Sequence, residues 1–238
     1  MTPPGAPLIE IDRVSKHYGV PRPLRIRRLA VHASDRLALS GLDAGAAETL
    51  INLITGASVP DEGAVRVGGR DTRAIGTDTE WLASLDRFGI VTARAVLIGA
   101  LSIADNLALP LTLSIDPMAP ETRAAVEALA DLVALPRGRL ADKAATLSVD
   151  ELFRVHLARA LAPRPALLLL EHPTAALRDA ALSRRLGETL DAAASGAGVG
   201  WLAMSDDAVF AGAAHGTRRT LRTDGRLTGD GFWSRCFQ

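Results

Sequence analysis

Lysine is nearly missing from this chain, which carries 27 basic residues of which only Lys16 and Lys143 are lysines. A site that depends on a lysine ammonium therefore has two candidates, and everything else cationic is arginine or histidine. Cysteine is scarcer still: the single Cys236 excludes an internal disulfide and fits a reducing compartment. Aromatic residues make up 4% of the chain and include one tyrosine, Tyr18. No excess of charge of either sign exists, because 27 acidic residues balance the 27 basic ones, so nothing points to nucleic acid as a partner. The N-terminus "MTPPGAPLIEID" has no basic segment followed by an apolar core, and so does not read as a secretory signal. The longest apolar stretch, "AVLIGALSIADNLALPLTLSI" at 95–115, is interrupted by Asp105, Asn106 and Pro110. Those residues make membrane insertion costly, so a buried or interface segment is expected, in a soluble protein.

What is present is an α/β pattern. Alternation in "LIEIDRVS" and "LRIRRLAVHA" predicts two early strands, and "GAVRVGG" predicts a third. "RFGIVTA" (87–93), "PALLLLEHP" (165–173) and "GVGWLAMS" are short apolar runs of the kind that fill a buried parallel sheet. Helices are predicted for 120–135, where Pro120 stands near the start, for 148–161, and for "AALSRRLGETLDAAA". "GTRRTLRTDGRL" predicts a terminal strand pair turning at Asp224-Gly225. The chain is long enough for one large domain with an insertion. A mostly parallel core sheet follows from the alternation of strands and helices, with a helical insertion in the middle.

The stretch "LALSGLDAGAAETLINLITG" (37–56) has the order strand, turn, helix. A loop that cradles nucleotide phosphates follows G-x-x-x-x-G-K-[ST]. Counted from Gly41, the second glycine falls on Ala46, the lysine on Ala47 and the hydroxyl on Glu48, with Gly45 and Thr49 one residue away from the missing groups. A carboxylate at Glu48 is favoured by the helix dipole and repels phosphate, at about 4 kcal/mol per unit-charge pair at 4 Å and an effective dielectric near 20. Further on, Ser148 and Glu151 form S-x-x-E ahead of a helix, a capping box.

Taken in order, six segments over residues 8–228 resemble the ATP-binding cassette, the nucleotide-binding subunit of ABC transporters. They are Tyr18, "GLDAGAAET", "PDEGAVRVGGRD", "LSIADNLALPL", "LSVDELFRVHLARAL" with "ALLLLEHPTAAL", and "AMSDD". The resemblance implies a P-loop NTPase-like fold with N-terminal antiparallel strands. It implies one domain over 1–238, with a core of 8–93 and 156–228 and a helical subdomain at about 94–155. It also places roles. Tyr18 stands where adenine stacks; Gly41, Gly45, Ala46, Ala47, Glu48 and Thr49 stand in the phosphate loop. Ala93 stands at the loop glutamine, Ser148 in the signature, and Glu171 at the Mg-associated Asp. His172 stands at the catalytic Glu, Arg178 at the dimer-loop Asp and Asp206 at the switch His.

Scaffold positions of the family are retained at Leu147, Arg154, Arg159, Pro173 and Thr174, whereas the chemical positions are not. The expectation is therefore a degenerate cassette, a pseudo-ATPase. Its ATP binding is weak, and Mg²⁺ would have only Glu48 and Glu171 to hold it. Its partners are a membrane permease subunit, docked near 95–112, and a second cassette in a homodimer or heterodimer. Its location is cytoplasmic, peripheral on the inner face of the plasma membrane. Two alternatives stay open: an active ATPase in which an Arg serves for Lys and His172 for Glu, and a soluble non-enzymatic binding module. If Glu48, Glu171, His172 and Asp206 share one pocket, their charge must be compensated by an arginine, by protons or by a divalent cation.

Overall fold

The computed structural model of the chain describes residues 5–92 and 94–229, so Ala93 and Cys236 lie outside the described residues. Two sheets organise the molecule. Strands β1 (Ile9–Lys16), β2 (Leu24–Val31), β4 (Glu62–Val67) and β5 (Arg70–Asp71) form an antiparallel sheet in the order β2-β1-β4-β5. The second sheet uses β3 (Arg36–Ser40), β6 (Phe88–Thr92), β7 (Leu167–Glu171), β8 (Gly200–Met204), β9 (Thr217–Leu221) and β10 (Leu227–Gly229). Its order is β10-β9-β3-β8-β7-β6, parallel throughout except for β10.

Strand period 2 explains how this sheet is covered on both faces. Leu37, Leu39, Leu167, Leu169, Leu202 and Met204 face a core shared with β1, β2 and helix α1 (Ala44–Thr55). Their neighbours Ala38, Leu168, Leu170, Trp201 and Ala203 face the opposite way, into a second core. That core is built by α3 (Ile103–Ala108), α4 (Pro120–Leu132), α5 (Val149–Leu161), α6 (Ala180–Ala197) and α7 (Ala208–Ala213). A continuous apolar run such as Leu167–Leu170, buried at every position, is what a strand between two layers requires.

Three helices and one segment depart from the sequence reading. Helix α1 begins at Ala44, so the short small-residue turn expected before Leu50 is already helical. Helices α2 (Asp78–Leu85) and α7 carry no strong apolar period, and α2 buries no residue. The segment 95–115 divides: Ile103, Leu107 and Ala108 are fully buried, while Val96 and Leu113 are 79% and 90% exposed.

Candidate functional site

Strand β3 delivers the chain to Gly41, whose φ of +84° belongs to the left-handed region that glycine enters freely. A Cβ there would stand 2.5 Å from the Leu221 carbonyl oxygen, so the turn fits against the end of β9 only without a side chain. Two residues later Asp43 caps α1, its Oδ1 accepting from the Ala46 amide at 2.7 Å. Its Oδ2 accepts from the Tyr18 hydroxyl at 3.2 Å. The amide of Gly41 donates to Asp206 Oδ1 at 2.8 Å. Thr49 donates back to the Gly45 carbonyl at 2.7 Å, within the helix. Two donors that a phosphate would use, on Gly41 and Ala46, are therefore occupied by carboxylates of the chain itself.

Ala46 and Ala47 are buried in the core of α1. Tyr18 packs on the same core, with its ring edge 3.0 Å from where a Gly45 Cβ would be. Burial, followed by the charge and hydrogen bond of Asp43, raises the Tyr18 phenol above its ordinary pKa.

Glu48 and Glu171 are brought together by a residue the sequence reading did not single out. Arg94 bonds Glu48 through Nη1 and Glu171 Oε2 through Nη2, the latter at 2.6 Å. Thr92 Oγ1 donates to the same Glu171 oxygen at 2.8 Å and accepts from the Arg94 amide at 3.2 Å. The β6 and β7 register sets Thr92 opposite Glu171, so Arg94, two residues past Thr92, emerges directly above the carboxylate. That register was the available signal. Glu171 is the more buried partner, with its side chain 10% exposed against 49% for Glu48.

His172 follows with φ +42°, its amide donating to the Met204 carbonyl at 2.9 Å. Its Nε2 is buried and has no hydrogen-bond partner among the described residues. Asp206 is engaged with Gly41. Among the described residues, no group of three or more His, Cys, Asp or Glu side chains is arranged to hold a metal ion.

Ser148 stands apart from this cluster, at the start of α5. It forms the capping box with Glu151: the Ser148 amide donates to Glu151 Oε2 at 2.9 Å, and the Glu151 amide returns to Ser148 Oγ at 3.3 Å. Arg139 Nε donates to Glu151 Oε1 at 2.8 Å. The Arg139 bond and the two Ser148 bonds hold the Glu151 carboxyl down to about 2. Beside the cap, Val149 is 54% exposed.

The family model described as ABC transporter matches residues 27–175, well over half of the chain. The chain belongs to the ABC transporter ATP-binding cassette family. It is 34% identical over 182 residues to the sulfate/thiosulfate import ATP-binding protein CysA 2 of Chromobacterium violaceum, covering 76% of this chain and 47% of that protein. To the lipoprotein-releasing system ATP-binding protein LolD of Pseudomonas syringae pv. tomato it is 33% identical over 147 residues, covering 62% and 64%. To the methionine import ATP-binding protein MetN 2 of Burkholderia mallei it is 36% identical over 202 residues, covering 79% and 50%. The matches thus span between 47% and 64% of the length of these relatives. In fold, the cassette superposes on a dimeric bacterial ABC transporter cassette with a TM-score of 0.74 at 24% identity, covering 94% of this chain and all of the other. A dimeric post-hydrolysis cassette bound to ADP and Pi gives 0.72 at 23% identity, with the same coverage. Among the described residues, no helix is long and apolar enough to cross a membrane.

Proposed function

We propose that this cassette is a pseudo-ATPase, a degenerate ATP-binding subunit that serves an ABC-type membrane transporter as a structural or regulatory part. The observation that carries the reading is Arg94, whose guanidinium bridges Glu48 and Glu171 at the positions where Mg²⁺ and its partners are expected. The residues present do not fit a magnesium triphosphate. The lysine position is the fully buried Ala47, the hydroxyl position is a carboxylate, and the loop amides of Gly41 and Ala46 already donate to Asp206 and Asp43. Arg94 engages one oxygen of each carboxylate, Glu48 Oε1 and Glu171 Oε2, so a cation placed between the pair would compete with the guanidinium.

The rest of the reading concerns partners and place. The chain is taken to work at the cytoplasmic face of a membrane, docked on a permease through the region of 95–112, and paired with a second cassette. A cleft of about 240 Å³ lies there between β6, Ala95, Pro110 and α5, with His156 and Arg159 on one wall. Exposed Val96, Ile98 and Leu111 lie along the same segment. The names of the relatives, two import ATP-binding proteins and one of a lipoprotein-releasing system, support a transport role without fixing its direction.

An active ATPase with Arg94 serving for the missing lysine is the competing reading, and it needs His172 as base. Thermal denaturation with and without millimolar Mg·ATP, with turnover measured on the same sample, decides between them. A ligand at 100 times its dissociation constant stabilises by about 2.7 kcal/mol. For a domain of this size that is a rise of roughly 5–10 °C. The expected result is no resolvable rise and no turnover; a clear rise accompanied by phosphate release overturns the pseudo-ATPase reading.

A further inference from the structure

A pocket of about 250 Å³ lies where the β4–β5 hairpin meets α2, and none of its lining residues belongs to the phosphate loop. Asp71, Thr72, Ser84 and Arg87 give it polar groups, and Val67, Ile75 and Ala83 give it apolar surface. The space stays open because α2 packs loosely: none of its residues is buried, and Leu82 is 51% exposed. What fastens the helix is polar. Thr77 caps it, and Glu80 ties it back by accepting from Arg70 Nη2 at 2.8 Å and from the Gly76 amide at 2.9 Å. The groups around it are fixed to the body of the cassette. Asp71 ends β5 and caps the single turn Thr72–Ala74, its Oδ1 accepting from the Arg73 amide at 2.9 Å. Arg87, just past α2, is held through its carbonyl, which accepts from the Ala166 amide at 2.8 Å.

The charges of the lining sort into a pair and a remainder. Arg70 and Glu80 neutralise each other in an ion pair at 2.8 Å. One cation and one anion are left, Arg87 and Asp71, and among the described residues neither has an ion-pair partner. Elsewhere the cassette pairs its arginines readily, as at Arg36, Arg137, Arg139 and Arg154. Thr72 adds an independent signal. It is 2% exposed, and its Oγ1 is buried without a hydrogen-bond partner among the described residues. A buried hydroxyl left in that state is costly, and folded proteins complete most such groups with protein, water or ligand.

We propose that this pocket binds an α-amino acid with an aliphatic side chain, its carboxylate on Arg87, its ammonium on Asp71 and its side chain against Val67, Ile75 and Ala83. A guanidinium fork matches a carboxylate bidentately. A lining whose free charges are one of each sign favours a zwitterion, because a ligand with a single charge leaves the other group of the pocket unpaired. Liquid water takes about 30 Å³ per molecule, so the pocket holds the bulk of about eight waters, which suits an amino acid the size of leucine. The site shares no residue with the phosphate loop or with the cleft beside 95–112, so it stands independently of the pseudo-ATPase reading.

The test is calorimetric titration of the full chain with L-leucine, with 4-methylpentanoate, which lacks the ammonium, and with 3-methylbutylamine, which lacks the carboxylate. L-leucine should bind, and each analogue should bind at least tenfold more weakly. Arg87→Ala and Asp71→Asn should each weaken L-leucine by at least tenfold; the asparagine keeps an oxygen for the Arg73 amide, so the turn stays capped. If either variant loses the wild-type circular dichroism, Ala83→Phe serves in its place: Ala83 is exposed and lines the pocket, so the larger side chain fills the space without touching a charge and should abolish binding. Arg94→Ala should leave the affinity unchanged, which separates this site from the bridged carboxylates. Heats from L-leucine that match sodium chloride, analogues that bind as tightly as the amino acid, or an affinity that survives these pocket substitutions would each overturn the proposal.

Discussion

Arg94 shows how one side chain can tie two carboxylates together. Glu171 sits mostly buried at the end of β7, where a carboxylate without a partner would be costly. Arg94 and Thr92 both bond its Oε2, and Arg94 carries the link on to Glu48. With Thr92 still donating to Glu171, Arg94→Ala should therefore destabilise the cassette by about 1.5–3 kcal/mol, the worth of a hydrogen bond to a charged group. Adding Glu171→Gln should restore part of that loss, giving a coupling of about 0.5 kcal/mol or more in a urea-denaturation cycle. Independent, additive effects of the two substitutions would mean that the bridge contributes nothing to folding.

Helix α5 carries an element-scale consequence of the same kind. Its N-terminus is closed by the Ser148–Glu151 box and tied to the preceding loop by Arg139. Because the Glu151 carboxyl is lowered from 4.5 to about 2, its contribution is complete above pH 4.5 and is lost as pH falls toward 2. Glu151→Gln should flatten the acid side of the stability profile across that window, and Ser148→Ala should cost about 1 kcal/mol at neutral pH. Chemical denaturation between pH 2 and 7 reads both. This cap was legible in the sequence because a capping box is a local rule, and the strands Leu167–Glu171 and Gly200–Met204 were legible because burial on both faces leaves an unbroken apolar run. Arg94 was not, since its role depends on the pairing of Thr92 with Glu171 across 79 positions of chain. Helix α1 also ran further back than its apolar period indicated, because the Asp43 cap permits helix from Ala44 through residues too small to show a period. Helix α2 was missed for the opposite reason: it buries no residue, so its sequence had no apolar stripe to display.

At the scale of the whole molecule, the exposed apolar residues beside the 240 Å³ cleft are where a membrane partner would leave its mark. Val96 is 79% exposed, so Val96→Asp should leave the melting temperature unchanged while reducing the share of the protein recovered with membranes in its native host. Equal recovery of the two proteins with membranes would count against docking through this segment. Arg94 has a different kind of consequence for the molecule as a whole. A nucleotide leaves its site by diffusion, so an ordinary binding site reports the supply of nucleotide around it. A guanidinium fixed to the backbone cannot be diluted or consumed, and its local concentration is set by chain geometry alone. Under the proposed pseudo-ATPase reading, the carboxylates of Glu48 and Glu171 thus meet the same counterion in a starved cell as in a well-fed one, and whatever the cassette contributes there is insulated from the cell's energy reserves.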